Sequence, residues 1–299
     1  MMYNRFLLLL GTCGVLLFSS CSDNNAEGEG QADDTLQLKV NTNAVKAENV
    51  FYYIPSPIET ANLLKKAGAD YNKDLLNPIE NVAKYTSTSA RALNLGVYGA
   101  DLSFTGIFDQ STESMLYMKC ANNLASELRI AGAFGQNMRD RLEANATNRD
   151  SILNIITDAY WDCDAILKEN GQENTSALMI AGGWVEGFYL AAVIADKTKN
   201  EDVRVRVAEQ KLSLETLVAL LESKKEDKEV AAVLNDLREL KVLLDRLPKN
   251  TTETVVKDDE KAKSTEIGAA PGGPSISDEQ FKEIVTRITA IRTAIVNRS

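Results

Sequence analysis

The sequence predicts an all-α protein, a multi-helix bundle of about seven to eight helices with one further helix after a long break. Three observations predict it. Apolar residues recur at three- and four-residue intervals over almost all of residues 78–247, the spacing that lines one face of a helix. Start and stop signals cut that pattern into helical lengths. Only Val50-Phe-Tyr-Tyr-Ile-Pro55 has strand chemistry, and a lone strand makes no sheet.

Taken in order, Pro57 suits the first turn of a helix reaching about Lys66, with Gly68 just past its end. Asn77-Pro78-Ile79-Glu80 reads as the next start, with Asn77 as N-cap and Glu80 in reach of the cap; this helix runs to about Phe108. Further helices are expected at roughly 111–130, 134–146, 150–169, 175–198, 201–224 and 227–247. The stripe is clearest at Leu217, Leu220 and Leu221 and at Val230, Val233, Leu234, Leu237, Leu240 and Leu244. Residues 248–276, with a charged run and Ala-Ala-Pro-Gly-Gly-Pro, are expected to form a disordered linker. Ser277-Asp-Glu-Gln280 is a capping box that opens a C-terminal amphipathic helix, 277–299. Its Phe281, Ile284, Val285, Ile288, Ile291 and Ile295 face one way and must dock, on the bundle of residues 50–247 or on a partner.

Composition excludes several chemistries. The 299 residues hold 33 Lys+Arg against 43 Asp+Glu, a formal charge of −10 that argues against nucleic acid as partner. Histidine is absent, which removes Ser-His-Asp and Cys-His nucleophile pairs, HExxH zinc and His-ligated haem or iron. Phosphate-binding, nucleophile-elbow and EF-hand motifs are also missing. Neither cofactor nor metal is expected.

The first residues read as an export signal. Arg5 precedes an apolar run, Phe6-Leu-Leu-Leu-Leu-Gly and Val15-Leu-Leu-Phe, that ends at Ser19-Ser20-Cys21, so residues 1–20 are expected to be a signal peptide. Leu17-Phe18-Ser19-Ser20-Cys21 resembles a bacterial lipobox, which implies that Cys21 becomes the lipidated N-terminus and ties the protein to a membrane. The polar, acidic stretch after Cys21 suits a flexible tether over residues 21–49. It resembles the tract of Bacteroidetes-type lipoproteins, implying an outer-membrane anchor facing periplasm or cell surface. Asp34-Thr35-Leu36 and Asp150-Ser151-Ile152 resemble the O-glycosylation tripeptide of the same group, marking Thr35 and Ser151 as candidates. Asp150 and Ser151 equally suit a helix start. The resemblance is confined to leader, tether and tripeptides, and implies nothing about the body's activity.

Cys120 and Cys163 remain in the body, and either a disulfide or two buried free thiols fits an oxidising compartment.

Two segments stand out, Ala92–Gly106 and Met179–Ala192, both apolar, glycine-dotted and carrying one acid each. Gly96-x-x-x-Ala100 and Gly183-x-x-x-Gly187 place small residues one turn apart, as tight helix crossings require. Ser89, Ala90 and Gly96 align with Ser176, Ala177 and Gly183 at one offset, a hint of duplication. Residues 177–195 are long enough to span a bilayer, but the central acid and the amphipathic neighbours favour a core helix.

The acids in these segments, Asp101 and Glu186, are the candidate buried polar or ligand residues. They either line a polar pocket for a ligand, cation or proton transfer, or are held by a neighbouring helix or by an arginine such as Arg91, Arg139 or Arg141. Two functions follow. The first is a lipid-anchored, non-enzymatic binding module or accessory subunit of an envelope complex, with protein partners. The second is a small-ligand- or cation-binding, or weakly catalytic, bundle that uses Asp101 and Glu186.

Overall fold

A computed structural model describes residues 46–47, 50–51, 57–66, 68–145, 148–247, 254–259, 264–269 and 276–299. The expected signal peptide, Cys21, Thr35 and nearly all of the tether lie outside the described residues. The protein is an all-α bundle of α1 Pro57–Lys66, α2 Thr88–Ile107, α3 Ser111–Glu127, α4 Gln136–Ala144, α5 Arg149–Glu169, α6 Glu173–Thr198, α7 Glu201–Glu209, α8 Lys211–Glu222, α9 Lys228–Asp245 and α10 Asp278–Val296. Short 3-10 turns occupy Lys73–Leu75, Ile79–Lys84 and Ala131–Phe134.

Most local signals act as the chemistry dictates. Gly68 ends α1 with φ +78°, a left-handed conformation that costs glycine little. Ser277 and Gln280 form the reciprocal capping box of α10. Asn148 caps α5, so Asp150 and Ser151 lie inside its first turn.

Three boundaries differ from the sequence reading. Asn77 caps no α-helix; Pro78 leads into the 3-10 turn, and α2 begins later, where the Ser87 hydroxyl accepts from the Ala90 N–H. The stretch 201–224 breaks at Gln210, whose backbone and side-chain carbonyls both accept from Ser213 Oγ. In the segment read as a disordered linker, Thr254–Asp259 pairs antiparallel with Ser264–Ala269. Thr254, Val255, Val256, Thr265 and Ile267 supply the β-branched residues such a ladder favours. Lys46–Ala47 also pairs with Val50–Phe51.

The core is built around α2 and α6, buried on nearly every side. Helix α6 is apolar and long enough to cross a membrane, yet 89% of its most apolar window is buried inside the protein. The two helices cross where glycine lets backbone touch backbone. A Cβ on Gly182 would strike the Leu93 carbonyl oxygen, and one on Gly96 would strike the Met179 carbonyl oxygen and sit 2.5 Å from the Gly183 nitrogen. The expected tight crossing is therefore present, with Gly96 and Gly182 as its pivots.

Helix α10 docks in cis on α6, α9 and α2, which settles where its apolar face goes. Phe281, Ile284, Ile288, Ile291 and Ile295 are all buried. Ion pairs align it along its length: Arg204 of α7 to Asp278 at 2.6 Å, Arg287 to Asp236 of α9 at 2.6 Å, and Arg298 to Glu229 of α9 at 2.7 Å. Its last carbonyls find tertiary donors, Asn94 Nδ2 to Ile295 O at 3.1 Å and Tyr85 OH to Val296 O at 3.2 Å.

The crossing predicts a contrast between two glycines. Gly182→Ala must push two backbones apart and should lower stability by about 1–3 kcal/mol or more. Gly99→Ala places its Cβ 3.5 Å from the Tyr160 ring, an ordinary contact, and should be neutral or stabilise by up to about 1 kcal/mol. Chemical denaturation of both variants checks this; equal effects would contradict the close crossing.

Candidate functional site

The α2–α6 crossing brings the two acids singled out from the sequence together. Asp101 and Glu186 are each 0% exposed, and their carboxyl groups lie within hydrogen-bond reach of each other. Neither meets Arg91 or Arg141. Arg91 pairs with Glu127 at 3.1 Å and Arg141 with Asp158 at 2.6 Å, while the Arg139 side chain is not among those described. The cation is Arg292, from α10.

Arg292 grips Glu186 with two parallel bonds, Nε to Oε2 at 2.9 Å and Nη2 to Oε1 at 3.0 Å. This fork-to-fork geometry matches the planar guanidinium to the carboxylate. Nη2 also donates to the Leu75 carbonyl at 3.2 Å, and the guanidinium carbon lies 4.9 Å from the centre of the Tyr189 ring. Burial opposes the charge on Arg292, but Glu186 outweighs it and holds the guanidinium above its usual range.

Asp101 is placed differently. Its Oδ2 accepts from the Asn77 backbone N–H at 3.1 Å, and its Oδ1 has no protein donor. Burial first, and then the negative charge of Glu186, raise the Asp101 carboxyl well above the usual carboxylate range; Arg292 and the Asn77 N–H act in the opposite sense. Asn77 anchors the surrounding polar groups, donating through Nδ2 to Tyr85 OH at 2.9 Å and to Asn94 Oδ1 at 3.4 Å. Tyr98 OH reaches the Pro78 carbonyl at 2.9 Å.

Sequence reasoning therefore found the two acids, missed Arg292, Asn94 and Tyr189, and read Asn77 as a helix cap alone. A signal for Arg292 was present. It lies four residues after Ile288, one after Ile291 and three before Ile295, inside the apolar stripe where a cation needs a buried partner.

Cys120 and Cys163 are free, buried thiols and do not pair with each other. They face different neighbours: Cys120 Sγ lies 3.8 Å from the Ile79 carbonyl, whereas Cys163 lines a cleft with Leu95 and Tyr160. Burial pushes the Cys120 thiol up to about 11 and the Cys163 thiol to about 12, so neither supplies a thiolate nucleophile near neutral pH. That cleft, between α2, α3, α4 and α5, is nearly all apolar and admits no more than a water-sized guest. Ser151 is partly exposed in the first turn of α5.

No known protein family matches the chain, and neither curated proteins nor solved structures return a match.

In chemical terms the Asp101–Glu186 site is a closed polar core. The guanidinium already occupies the side of Glu186 that a metal cation would need, and among the described residues no group of three or more Cys, Asp or Glu gathers to hold an ion. Removing one partner strands the other in the interior. Glu186→Ala should therefore cost about 3–5 kcal/mol. Arg141→Ala, which breaks the exposed pair with Asp158, should cost less than about 1 kcal/mol. Urea denaturation of the two variants separates these outcomes; similar small losses would show that Glu186 is not held as a buried ion pair.

Proposed function

We propose that this protein is a lipid-anchored component of the cell envelope, whose helical domain serves as a non-enzymatic binding module or accessory subunit of an envelope complex. The observation that carries the reading is the closure of the Asp101–Glu186 site. Both acids lie at 0% exposure, and Glu186 spends both oxygens on Arg292. A substrate or cation would have to displace α10 to reach them. The most conspicuous candidate for chemistry thus works as packing, and the reading of a ligand-binding or weakly catalytic bundle loses its main support.

Attachment rests on Leu17–Cys21 and the acidic tether after it. Lipid on Cys21 would hold the body at the outer membrane, facing periplasm or cell surface, within reach of protein partners.

Cys21→Ser should move the protein from the membrane fraction to the soluble fraction of lysed cells, and chemical crosslinking in intact envelopes should join the native protein to a protein partner. Unchanged membrane attachment of Cys21→Ser would contradict the anchor, and turnover by the purified chain that is lost in Asp101→Asn would contradict the non-enzymatic reading.

A further inference from the structure

We propose that the contact between Asp101 and Glu186 holds one proton, and that this proton secures the C-terminal helix α10 on the bundle. Two carboxyl groups meet in the interior, and Arg292 is the cation that faces them. Both Glu186 oxygens are engaged by Arg292, and Asp101 Oδ2 by the Asn77 N–H. Asp101 Oδ1 is the oxygen left without a donor. Carboxylates only accept hydrogen bonds, so two of them repel unless a proton lies between. A proton on Oδ1 makes Asp101 the donor to Glu186. The cluster then consists of one neutral acid, one carboxylate and one guanidinium, with no net charge.

The other titratable groups around Asp101 come from every side: Tyr98 on its own helix, Tyr117 and Cys120 on α3, Tyr189 on α6, and Tyr71 and Tyr85 before α2. Burial raises each of them, Tyr71 and Tyr85 to about 12 and Cys120 to about 11. All six stay neutral near physiological pH, so they neither compensate nor mask a charge on Asp101.

The connection to α10 follows from linkage. With α10 docked, Asp101 is sealed and keeps its proton to higher pH. With α10 lifted, Arg292 leaves and water reaches the cluster, so Asp101 ionises close to the ordinary value of 3.8. The docked state is the one that binds the proton more tightly. The contribution of this proton to docking is therefore full below the ordinary carboxyl value and is lost as pH rises toward the raised value of the docked state, by up to about tenfold in the equilibrium per pH unit for one proton. Beyond that, two carboxylates share one guanidinium in a dry interior. The chain from Arg246 to Ser277, between α9 and α10, is long enough to let the helix lift while the bundle stays folded.

Two measurements on the full chain test the proposal. Infrared spectroscopy with isotope-labelled aspartate should show a carboxylic-acid carbonyl band at neutral pH that Asp101→Asn removes. Amide hydrogen exchange from about pH 5 to about pH 9, corrected for the intrinsic rate, should show α10 losing protection relative to α5, by up to about tenfold per pH unit. Asp101→Asn copies the donor of the neutral acid and should hold α10 protection level across that range. A wild-type protein without the acid band overturns the proposal, as does parallel loss of protection in α10 and α5, or an Asp101→Asn profile that follows wild type. If Asp101→Asn fails to fold, the wild-type band and the wild-type comparison of α10 with α5 decide the matter.

Discussion

The bidentate pair between Arg292 and Glu186 constrains the rest of this structure. A buried ion pair offers little net stability over a well-packed apolar replacement, but it cannot tolerate the loss of one partner. Its consequence here is register. Helix α10 presents isoleucines at 284, 288, 291 and 295, and a stripe so uniform would pack almost as well one turn further along. One turn of slippage, however, would leave Arg292 without Glu186 and without the Leu75 carbonyl. The salt bridge from Arg204 to Asp278 fixes the other end, with the Arg204 guanidinium carbon 4.9 Å from the centre of the Phe281 ring. Held at both ends, α10 completes a core that would otherwise expose the flanks of α2, α6 and α9.

The pair depends in turn on the glycine crossing. Gly96 and Gly182 let the α2 and α6 backbones approach until Cβ atoms at those positions would overlap carbonyl oxygens. At that spacing Asp101 and Glu186 meet across the two helices, and the solvent that would normally separate two acids is excluded. Packing and electrostatics are thus one feature of the fold. Small side chains set the distance, the distance brings the acids together, and the acids require both the cation and the proton. The offset that aligns Ser89, Ala90 and Gly96 with Ser176, Ala177 and Gly183 also acquires a structural meaning, since Gly96 lies against Gly183 at the centre of the crossing.

What could be read in the sequence was whatever depends on neighbours along the chain. Helix class, the capping box at Ser277, the glycine stop at Gly68 and the unusual acids in apolar surroundings are all local signals. Asn77 shows the limit. Asn-Pro is a strong local start, but the Asn77 N–H is drawn to Asp101, 24 residues away, and the helix begins at Thr88 instead. Gln210 breaks a continuous apolar pattern without glycine or proline, through hydroxyl bonds from Ser213, which also receives the indole N–H of Trp184 at 3.0 Å. Arg292 belongs to the same class. Its residue type suggests solvent, and only its place between Ile288 and Ile295 suggests a buried partner, 106 positions away.

The measurement that tests this most directly is the coupling energy between Glu186 and Arg292, obtained by denaturing the wild-type chain, Glu186→Ala, Arg292→Ala and the double variant. A buried pair predicts that the double variant loses far less than the sum of the single losses, with a coupling of about 2–3 kcal/mol. Losses that add to within about 0.5 kcal/mol would mean that the two residues act independently, and that something other than this ion pair holds the C-terminal helix in place.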